Sequence, residues 1–375
     1  MKLLFLAPAN SIHSARWIRW FASAGHEVTW ISAHPLEVAQ PPGLTLHALP
    51  RDGGAFTRWS RWLRAVRRIV RAARPDVVHV HSLGTYALLA FGVPFGVPMV
   101  STPWGSDIIL DANGWWRRAI VQRTLGRSAF CTSDAQHMRP RLAALGVDAS
   151  RVHIINFGVE TERFVAIASD REAGAAAGPP GTGAASAAPP LRVISLRMLD
   201  PIYDIPTLIR AAARLKRSGV GLVVDIHGSG PERGRLEAQV RELVLEGIVT
   251  FHGRYSHDTL PGILAGADVY VSTSTSDAGI AASTAEAMAA GLPAVISDSG
   301  ENKAWITDGV NGRLFPTGND EALAAALEEA AADPERRRAW AEAGQRTILE
   351  RNDYQTEMRK METLYAQMYL DAHGR

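Results

Sequence analysis

Short apolar runs alternate along most of the chain with longer stretches whose apolar residues recur at helical spacing. The apolar runs predict strands at residues 3–7, 27–32, 76–80, 98–102, 128–133, 151–155, 191–196, 221–227, 248–253, 267–272, 292–297 and 312–315. Strands that alternate with helices form parallel sheets covered by helices on both faces. The pattern therefore predicts an α/β protein with two doubly wound lobes in tandem and a ligand cleft between them.

A segment of small residues separates the two halves. Of the 25 residues in 166–190, 20 are Ala, Gly, Pro or Ser, and none is aromatic. Such a segment cannot bury enough apolar surface to offset the entropy lost on ordering, so it predicts a flexible linker. We expect a first lobe at 1–165, a second at 191–348, and a C-terminal helix at 349–375 that packs back on the first lobe.

The composition is that of a globular protein. Apolar residues make up 46% of the 375 residues and charged residues 21%. Cys131 is the single cysteine, which excludes an internal disulfide. The longest apolar stretch, 86–100, contains two glycines and two prolines, and it is shorter than the ~20 residues that span a bilayer. We expect a cytoplasmic protein without a secretory signal.

Basic residues are concentrated in the first half. Residues 1–165 carry 19 basic and 10 acidic residues, whereas the remainder carries 21 and 28. Residues 58–74 contain seven arginines and no acid, with Trp, Leu, Ile and Val at helical spacing. Three interpretations stay open: a helix packed on the core with a basic outer face, a helix on an anionic membrane surface, or a helix on an anionic polysaccharide. Residues 115–118, Trp-Trp-Arg-Arg, either extend that surface or pack. We expect no nucleic-acid partner.

Unusual polar, aromatic and glycine residues follow the predicted strands, where ligands bind in open α/β sheets. In the first half they are Asn10, Ser11, His13, His81, Trp104, Gly105, Ser106 and Asp107. In the second half they are Arg197, Gly228, Gly253, Arg254, Asp277 and the loop residues Gly279, Ile280, Ala281 and Ala282. We expect these residues to line the ligand site.

The loop before the predicted helix at Ser283 is rich in small residues. Free amides at the start of a helix, together with its dipole, suit a phosphate. Ser283 and Glu286 have the spacing of a capping box. Two readings of Glu286 stay open: it caps its own helix, or it accepts the ribose hydroxyls of a nucleotide.

Several nucleotide sites are excluded by missing motifs. No G-x-G-x-x-G follows the first strand, and no G-x-x-x-x-G-K-[ST] occurs. No Asp-x-Asp pair is present to clamp a diphosphate through a divalent ion. We therefore expect neither a metal nor a cofactor, and we expect arginine and helix amides to meet the charge of a diphosphate.

A set of motifs in order carries a family resemblance. In the second half they are Ser195-Leu-Arg197, Thr207-Leu-Ile, 227–232, Phe251-His-Gly253, Ala267-Asp-Val, 286–293 and 309–315. In the first half they are Ser11-Ile-His13 with Arg16-Trp17, 25–28, 75–81 and 104–107. The chain resembles the retaining glycosyltransferases of family 4, which have the GT-B fold of two Rossmann-like lobes facing a central cleft.

The resemblance implies transfer of a hexose from a nucleoside-diphosphate sugar, with retention of anomeric configuration, in polysaccharide or glycoconjugate synthesis. It implies that Arg197 holds the diphosphate, Glu286 the ribose, and the amides of 279–282 the phosphates. It places a glycan or lipid-linked acceptor on the first lobe, and we expect His13, Asp107 and Arg197 to take part in catalysis. A uridine diphosphate sugar is favoured over a guanosine one.

Three positions depart from the family pattern. No lysine follows Arg197 in 200–204, Ala278 stands where the family has a glutamate, and Trp104 stands where many members have a histidine. Asp277 is one position away from that glutamate. Two alternatives stay open. One is a nucleotide-sugar epimerase, which has two such lobes and binds the same ligand but needs an acid and a base around the sugar, for which the missing glutamate offers no support. The other is a sugar-nucleotide-binding protein with little activity, which the missing lysine allows.

Overall fold

A computed structural model describes residues 1–35, 43–104, 106–109, 114–176, 189–277 and 279–374. The chain divides into two compact units. The N-terminal unit consists of Met1–Phe157 and Gln355–Arg375, and the C-terminal unit consists of Gly158–Tyr354. The chain therefore enters the C-terminal unit once and returns to the N-terminal unit for its final helix.

The described part of the N-terminal unit contains a parallel sheet with strand order β3-β2-β1-β4-β5-β6-β7. Its strands are β1 Lys2–Leu6, β2 Glu27–Ser32, β3 Leu44–Ala48, β4 Val77–His81, β5 Met99–Thr102, β6 Phe130–Ser133 and β7 Val152–Ile154. Its helices up to this point are α1 Ile12–Ser23, α2 Ala55–Ala73, α3 Thr85–Leu89, α4 Ser106–Ile109, α5 Trp115–Arg127 and α6 Met138–Ala144. All strand pairs are parallel, and β4 directly neighbours β1. The strand order therefore reverses beside β1, where ligands bind in such sheets.

The described part of the C-terminal unit has the same design, with strand order β10-β9-β8-β11-β12-β13. Its strands are β8 Leu191–Ser195, β9 Leu222–His227, β10 Val249–Gly253, β11 Val269–Ser272, β12 Ala294–Ser297 and β13 Arg313–Phe315. Its helices are α7 Thr161–Ala176, α8 Ile205–Arg217, α9 Arg233–Glu242, α10 Leu260–Ala265, α11 Ala282–Ala289, α12 Asn302–Trp305, α13 Asp320–Ala332 and α14 Pro334–Arg351. The final helix, α15, spans Tyr354–His373.

Each unit buries its own apolar core. In the N-terminal unit, Trp62, Val66 and Val70 of α2 are buried in the cluster formed by the central strands, and Trp59 and Ile69 pack against it. The apolar face of the arginine-rich helix therefore faces the core of its own unit. This favours the interpretation of a core-packed helix with a basic outer face over one whose apolar face enters a membrane.

The C-terminal helix α15 is part of the N-terminal unit. Met358, Met361 and Tyr365 are buried. The Tyr365 hydroxyl pairs with Nδ1 of His79 on β4, and the backbone amide of Asn156 donates to Oε2 of Glu357 at 2.8 Å. The helix thus completes the core on one face of the sheet.

Two sequence predictions need correction. The edge strand β3 was not predicted, because Leu44–Ala48 is short, follows Pro-Pro-Gly and has only Leu44 fully buried. The predicted linker was too long at its start, since α7 continues to Ala176. Alanine is the best helix former, so alanine-rich sequence after Phe164 extends the helix. Residues 177–188 of the predicted linker lie outside the described residues.

Candidate functional site

The C-terminal unit holds a buried arginine at the carboxyl end of β8. Arg197 is 8% exposed, and its Nη2 donates to Oδ1 of Asp277 at 2.6 Å. The guanidinium lies over the ring of Tyr203, with Cζ 4.5 Å from the ring centroid. Its Nε is buried and has no partner among the residues that the structure describes. A buried cation with an unused donor is suited to a charge-assisted bond with an anion.

The loop that carries Asp277 is held by the start of α12. Nδ2 of Asn302 donates to the carbonyl oxygen of Ser297 at 2.9 Å and lies 3.5 Å from Oδ2 of Asp277. Gly300 has a φ of 55°, and a Cβ there would lie 1.7 Å from the carbonyl oxygen of Asp277. Only glycine permits this approach, so the backbone fixes the carboxylate opposite Arg197.

Neighbouring groups keep Arg197 charged. Burial acts to lower the pKa of Arg197, but Tyr270, Asp277 and Tyr203 outweigh burial and raise the pKa above its usual value. Burial also raises the pKa of Tyr270, whose hydroxyl lies 2.9 Å from Oγ of Ser283. A permanent positive charge therefore lies beside the strand ends of this unit.

The helix after the small-residue loop begins earlier than predicted. Ala281 is the N-cap of α11, with no side-chain capping bond. Ser283 lies inside the helix and bonds with Tyr270 instead. The predicted capping box is therefore wrong, because Ser283 is not at the N-cap position. The first amides of α11 are left for another acceptor.

Glu286 is half-buried on α11 and lies near Tyr255. Burial raises the pKa of the Tyr255 hydroxyl, and the negative charge of Glu286 adds to this effect, while Arg197 opposes it. The same hydroxyl lies 3.5 Å from the carbonyl oxygen of Leu196. Tyr255 thus bonds to the loop before Arg197 and lies close enough to Glu286 for its pKa to respond to that charge. Sequence reasoning missed Tyr255, although it follows Arg254 at the end of β10.

The other residues predicted to line the site of this unit differ in backbone conformation and in exposure. A Cβ on Gly228 would lie 2.2 Å from the carbonyl oxygen of Arg197, so the glycine lets two strand-end loops meet. Gly253 has a φ of 79°, and Arg254 is exposed after it. Gly279 is buried and Ala282 exposed, and the side chain of Ile280 packs on an apolar cluster. Ala278 lies outside the described residues.

The N-terminal unit has a pocket of about 560 Å³ at its strand ends, here called the polar pocket. Its described lining consists of Pro8, Asn10, Ser11, Ile12, His34, Ser82, Gly84, Thr85, Tyr86 and Trp104. The structure therefore brings Asn10, Ser11 and Trp104 together, as expected for strand ends. Sequence reasoning missed His34 and Tyr86. Their positions could have indicated them, because His34 lies just after β2 and Tyr86 lies in α3, which follows β4. Gly105 and the side chain of Ser106 lie outside the described part.

Hydrogen bonds fix one wall of the polar pocket. The hydroxyl of Tyr86 lies 2.8 Å from Nδ1 of His34 and 3.2 Å from Oγ of Ser32. Burial raises the pKa of Tyr86 to about 12, against the opposing effect of the Ser32 bond. Tyr86 therefore stays a neutral phenol at physiological pH and can both donate and accept.

His13 and His81 are packed among aromatic rings. The His13 ring lies 4.7 Å from that of Phe157 and 6.2 Å from that of Trp104, centroid to centroid. Burial, followed by Arg16, lowers the pKa of His13 to about 4. The described lining of the polar pocket does not include His13, so its catalytic role stays a prediction.

His81 offers no surface to an acceptor. It is fully buried, and neither ring nitrogen has a partner within the described residues. Its ring lies 4.3 Å from that of His79 and 5.1 Å from that of Trp17. Burial lowers its pKa to about 3. The expected contact between His81 and the acceptor therefore does not fit this structure.

Asp107 braces two loops of the N-terminal unit. It is 3% exposed, and its carboxylate accepts the backbone amides of Leu83 at 2.5 Å and Trp104 at 2.9 Å. Burial raises its pKa, and these backbone bonds oppose the rise. Both oxygens are engaged by the backbone, so the geometry assigns Asp107 a positioning role and gives its expected catalytic role no support.

The described part of the chain lacks two further features. No group of three or more His, Cys, Asp or Glu residues is placed to hold a metal ion there. Nor does any described helix combine the length and apolar character that crossing a membrane requires.

Comparison with known proteins agrees with the two units. The family described as glycosyl transferases group 1 matches residues 185–347, and glycosyltransferase family 4 matches residues 11–163. Glycogen synthase of Mycobacterium tuberculosis is 26% identical over 94% of this chain and 88% of that protein.

Solved structures show the same fold. Sucrose-phosphate synthase of Thermosynechococcus elongatus covers 99% of this chain and 100% of its own, with a TM-score of 0.81 at 18% identity. Anabaena HepE in complex with UDP covers 98% and 100%, with a TM-score of 0.74 at 18% identity. The fold and the two family matches together define a GT-B glycosyltransferase. The chain belongs to glycosyltransferase family 4.

Proposed function

We propose that this glycosyltransferase moves a sugar from a nucleoside-diphosphate sugar, held by the C-terminal unit, to a hydroxyl of an acceptor held by the N-terminal unit. The observation that carries the proposal is the buried, charged Arg197, whose Nε has no partner among the described residues. Its neighbour Tyr270 bonds to Ser283 in the first turn of α11, whose start has no side-chain cap. Guanidinium and helix amides together suit a diphosphate. The polar pocket supplies a site of sugar size in the other unit.

The donor we propose is a uridine diphosphate sugar. Structures of Anabaena HepE, which share the fold, contain UDP and UDP-glucose. Glu286 would accept the ribose hydroxyls, and its half-buried position near Tyr255 supports that role. The acceptor class we propose is a growing glycan or lipid-linked sugar in polysaccharide or glycoconjugate synthesis.

The proposed chemistry retains anomeric configuration. As the bond between the anomeric carbon and the phosphate oxygen breaks, negative charge develops on the departing diphosphate. Arg197 and the first amides of α11 stabilise that charge. The acceptor hydroxyl then bonds to the anomeric carbon from the same face, and its proton passes to the departing phosphate. No protein base is needed in this scheme. That the reaction needs no metal stays a prediction.

The test is incubation of the full chain with uridine and guanosine diphosphate sugars and a panel of glycan and lipid-linked acceptors. Release of UDP together with a glycoside of unchanged anomeric configuration, read by nuclear magnetic resonance, is the expected result. Conversion to another nucleotide sugar would identify an epimerase instead. If the protein bound a nucleotide sugar but transferred it to none of the acceptors, it would be a sugar-nucleotide-binding protein.

A further inference from the structure

A second pocket of the N-terminal unit adjoins the polar pocket. It has a volume of about 160 Å³ and is here called the apolar pocket. Its apolar walls are Trp59, Leu88, Trp116, Ile120 and Val121. Gly84 and Thr85 line both pockets. The two pockets are therefore neighbours along the loop that follows β4.

The two pockets differ in chemistry. The polar pocket is lined by hydroxyl, amide and imidazole groups, whereas aromatic and aliphatic side chains from α2, α3 and α5 form most of the apolar pocket. Asp107 and Arg117 also border the apolar pocket. Backbone amides engage the Asp107 carboxylate, and the Arg117 guanidinium lies over the ring of Trp116. A pocket of this size is below the several hundred Å³ typical of drug-sized ligands. It suits a short run of methylene groups.

Exposed tryptophans mark the edge of the apolar pocket. Trp116 lines the pocket and is 49% exposed, and Trp115 beside it is 85% exposed. Tryptophan is favoured where one side of the ring meets apolar groups and the other meets water. Trp59 comes from α2, whose outer face exposes Arg64 and Arg67. The edge of the apolar pocket is thus aromatic, and α2, which contributes Trp59 to the pocket, carries a cationic outer face.

We propose that the acceptor is an amphiphile whose sugar head occupies the polar pocket and whose hydrocarbon chain begins in the apolar pocket. This proposal rests on the proposed function and narrows its acceptor to a lipid-linked sugar. The chain leaves past Trp116 toward an anionic membrane that the arginines of α2 face. Charge complementarity between those arginines and anionic lipid favours a membrane source over a soluble glycan.

Isothermal titration calorimetry of the full chain with methyl and n-octyl β-D-glucopyranoside, both below micelle formation, tests the apolar pocket. We expect the octyl glycoside to bind at least about tenfold more tightly, because each buried methylene favours binding. Ile120→Asp should reduce the difference to less than about twofold. If Ile120→Asp does not fold, Trp116→Ala replaces it, because Trp116 is half-exposed and its truncation is tolerated. Trp116→Ala should also reduce the difference in affinity between the two glycosides.

The matched control is Phe95→Ala, which removes an 80% exposed aromatic ring outside both pockets. It should keep the full preference for the octyl chain. Equal binding of the two glycosides, or a preference that survives in both pocket variants, overturns the proposal. UDP binding, measured by the same calorimetry, separates a failure of the proposed function from a failure of the amphiphile proposal. If the unmodified protein does not bind UDP, the proposed function is refuted. If it binds UDP but binds the methyl and octyl glycosides equally, only the amphiphile proposal is refuted.

Discussion

Nη2 of Arg197 and Oδ1 of Asp277 lie 2.6 Å apart, and both side chains are buried. The cation proposed to bind the diphosphate therefore already has a carboxylate partner before any ligand arrives. Asp277 neutralises Arg197 and fixes its orientation, and the anionic donor adds to this arrangement through the unused Nε.

Asp277→Asn should lower the stability of the ligand-free chain and increase the stabilisation by UDP. Removing one partner of a buried pair leaves an uncompensated cation, at a cost of roughly 3 kcal/mol. UDP would then supply the missing negative charge, so its binding should raise the melting temperature more than in the unmodified chain. Thermal unfolding with and without UDP measures both effects. Asp320→Asn, which breaks surface pairs with Arg210 and Arg214, should leave the UDP shift unchanged. If UDP raised the melting temperature of Asp277→Asn no more than that of the unmodified chain, UDP would not be replacing the charge of Asp277.

Arg197→Lys should reduce transfer about 100-fold or more while keeping the charge. Lysine cannot reproduce the planar set of donors that reach Asp277 and a phosphate together, and loss of one preorganised donor to developing charge costs about 10²–10³ in kcat. Turnover of the nucleotide sugar under saturating donor measures this. Arg192→Lys is the matched control, because Arg192 lies on the same strand with its side chain 57% exposed. Unchanged turnover in Arg197→Lys would remove the guanidinium from the mechanism.

Glu286→Ala should weaken UDP binding by roughly 10-fold to 100-fold, the range expected for lost bonds to a charged group. Stability should fall little, because Ser283 does not cap α11 and the capping box is not formed. Calorimetric titration with UDP and thermal unfolding give the two quantities. Glu237→Ala, which removes a carboxylate paired with Arg233 on α9, should leave UDP binding intact. A drop in melting temperature without loss of UDP binding would return Glu286 to a structural role.

Acidification should destabilise the N-terminal unit through His81. The folded chain keeps His81 neutral down to about pH 3, whereas the ordinary pKa is 6.5. Between these values the unfolded chain binds the extra proton, so stability falls as the pH falls from 6.5. From pH 7 to 5 this group alone contributes about 2 kcal/mol of lost stability.

The variant His81→Phe should reduce this dependence by about that amount, because its ring cannot be protonated and its surroundings are aromatic. His13, whose pKa burial also lowers, keeps its own contribution in both chains. Chemical denaturation at pH 7 and pH 5 measures the difference. His137→Gln, an exposed position in the same unit, should keep the original dependence. A pH dependence in His81→Phe as steep as in the unmodified chain would show that other groups control acid unfolding.

The basic face of α2 should bind anionic vesicles. Replacing Arg64, Arg67, Arg68 and Arg71 with glutamine should weaken binding at least about 100-fold, since each basic residue near such a surface contributes about 1 kcal/mol. These side chains are exposed, whereas the apolar face of the helix packs on the core. Cosedimentation with phosphatidylserine vesicles at low and high salt measures this. Four lysines at the same positions should retain binding, and equal sedimentation of the glutamine variant would refute the membrane proposal.

The strand pattern was predicted well because parallel strands buried on both faces appear as continuous apolar runs. β4 and β11 illustrate this, since every residue of each is buried. The short edge strand β3 has partly exposed residues, so its sequence carries a weak signal. The place where the small-residue segment becomes helical was also not readable, because alanine suits both a linker and a helix.

The site was predictable in outline and not in its contacts. Strand ends indicated the loops that carry Arg197, Asp277, Asn10 and Trp104. Sequence spacing could not show that Arg197 and Asp277, 80 positions apart, form a buried pair. Nor could it show that His81 would have no polar partner among the described residues, because burial depends on the rings that pack around it.

The order of segments in the N-terminal unit has a consequence for synthesis on the ribosome. Met358, Met361 and Tyr365 fill the core of a unit whose other residues, 1–157, emerge first. Until α15 emerges, His79 lacks its tyrosine partner, and one face of the nascent sheet has apolar surface uncovered. The unit made first is therefore completed only after the other unit has been translated in full. In that interval it is the part of the nascent chain most in need of a chaperone.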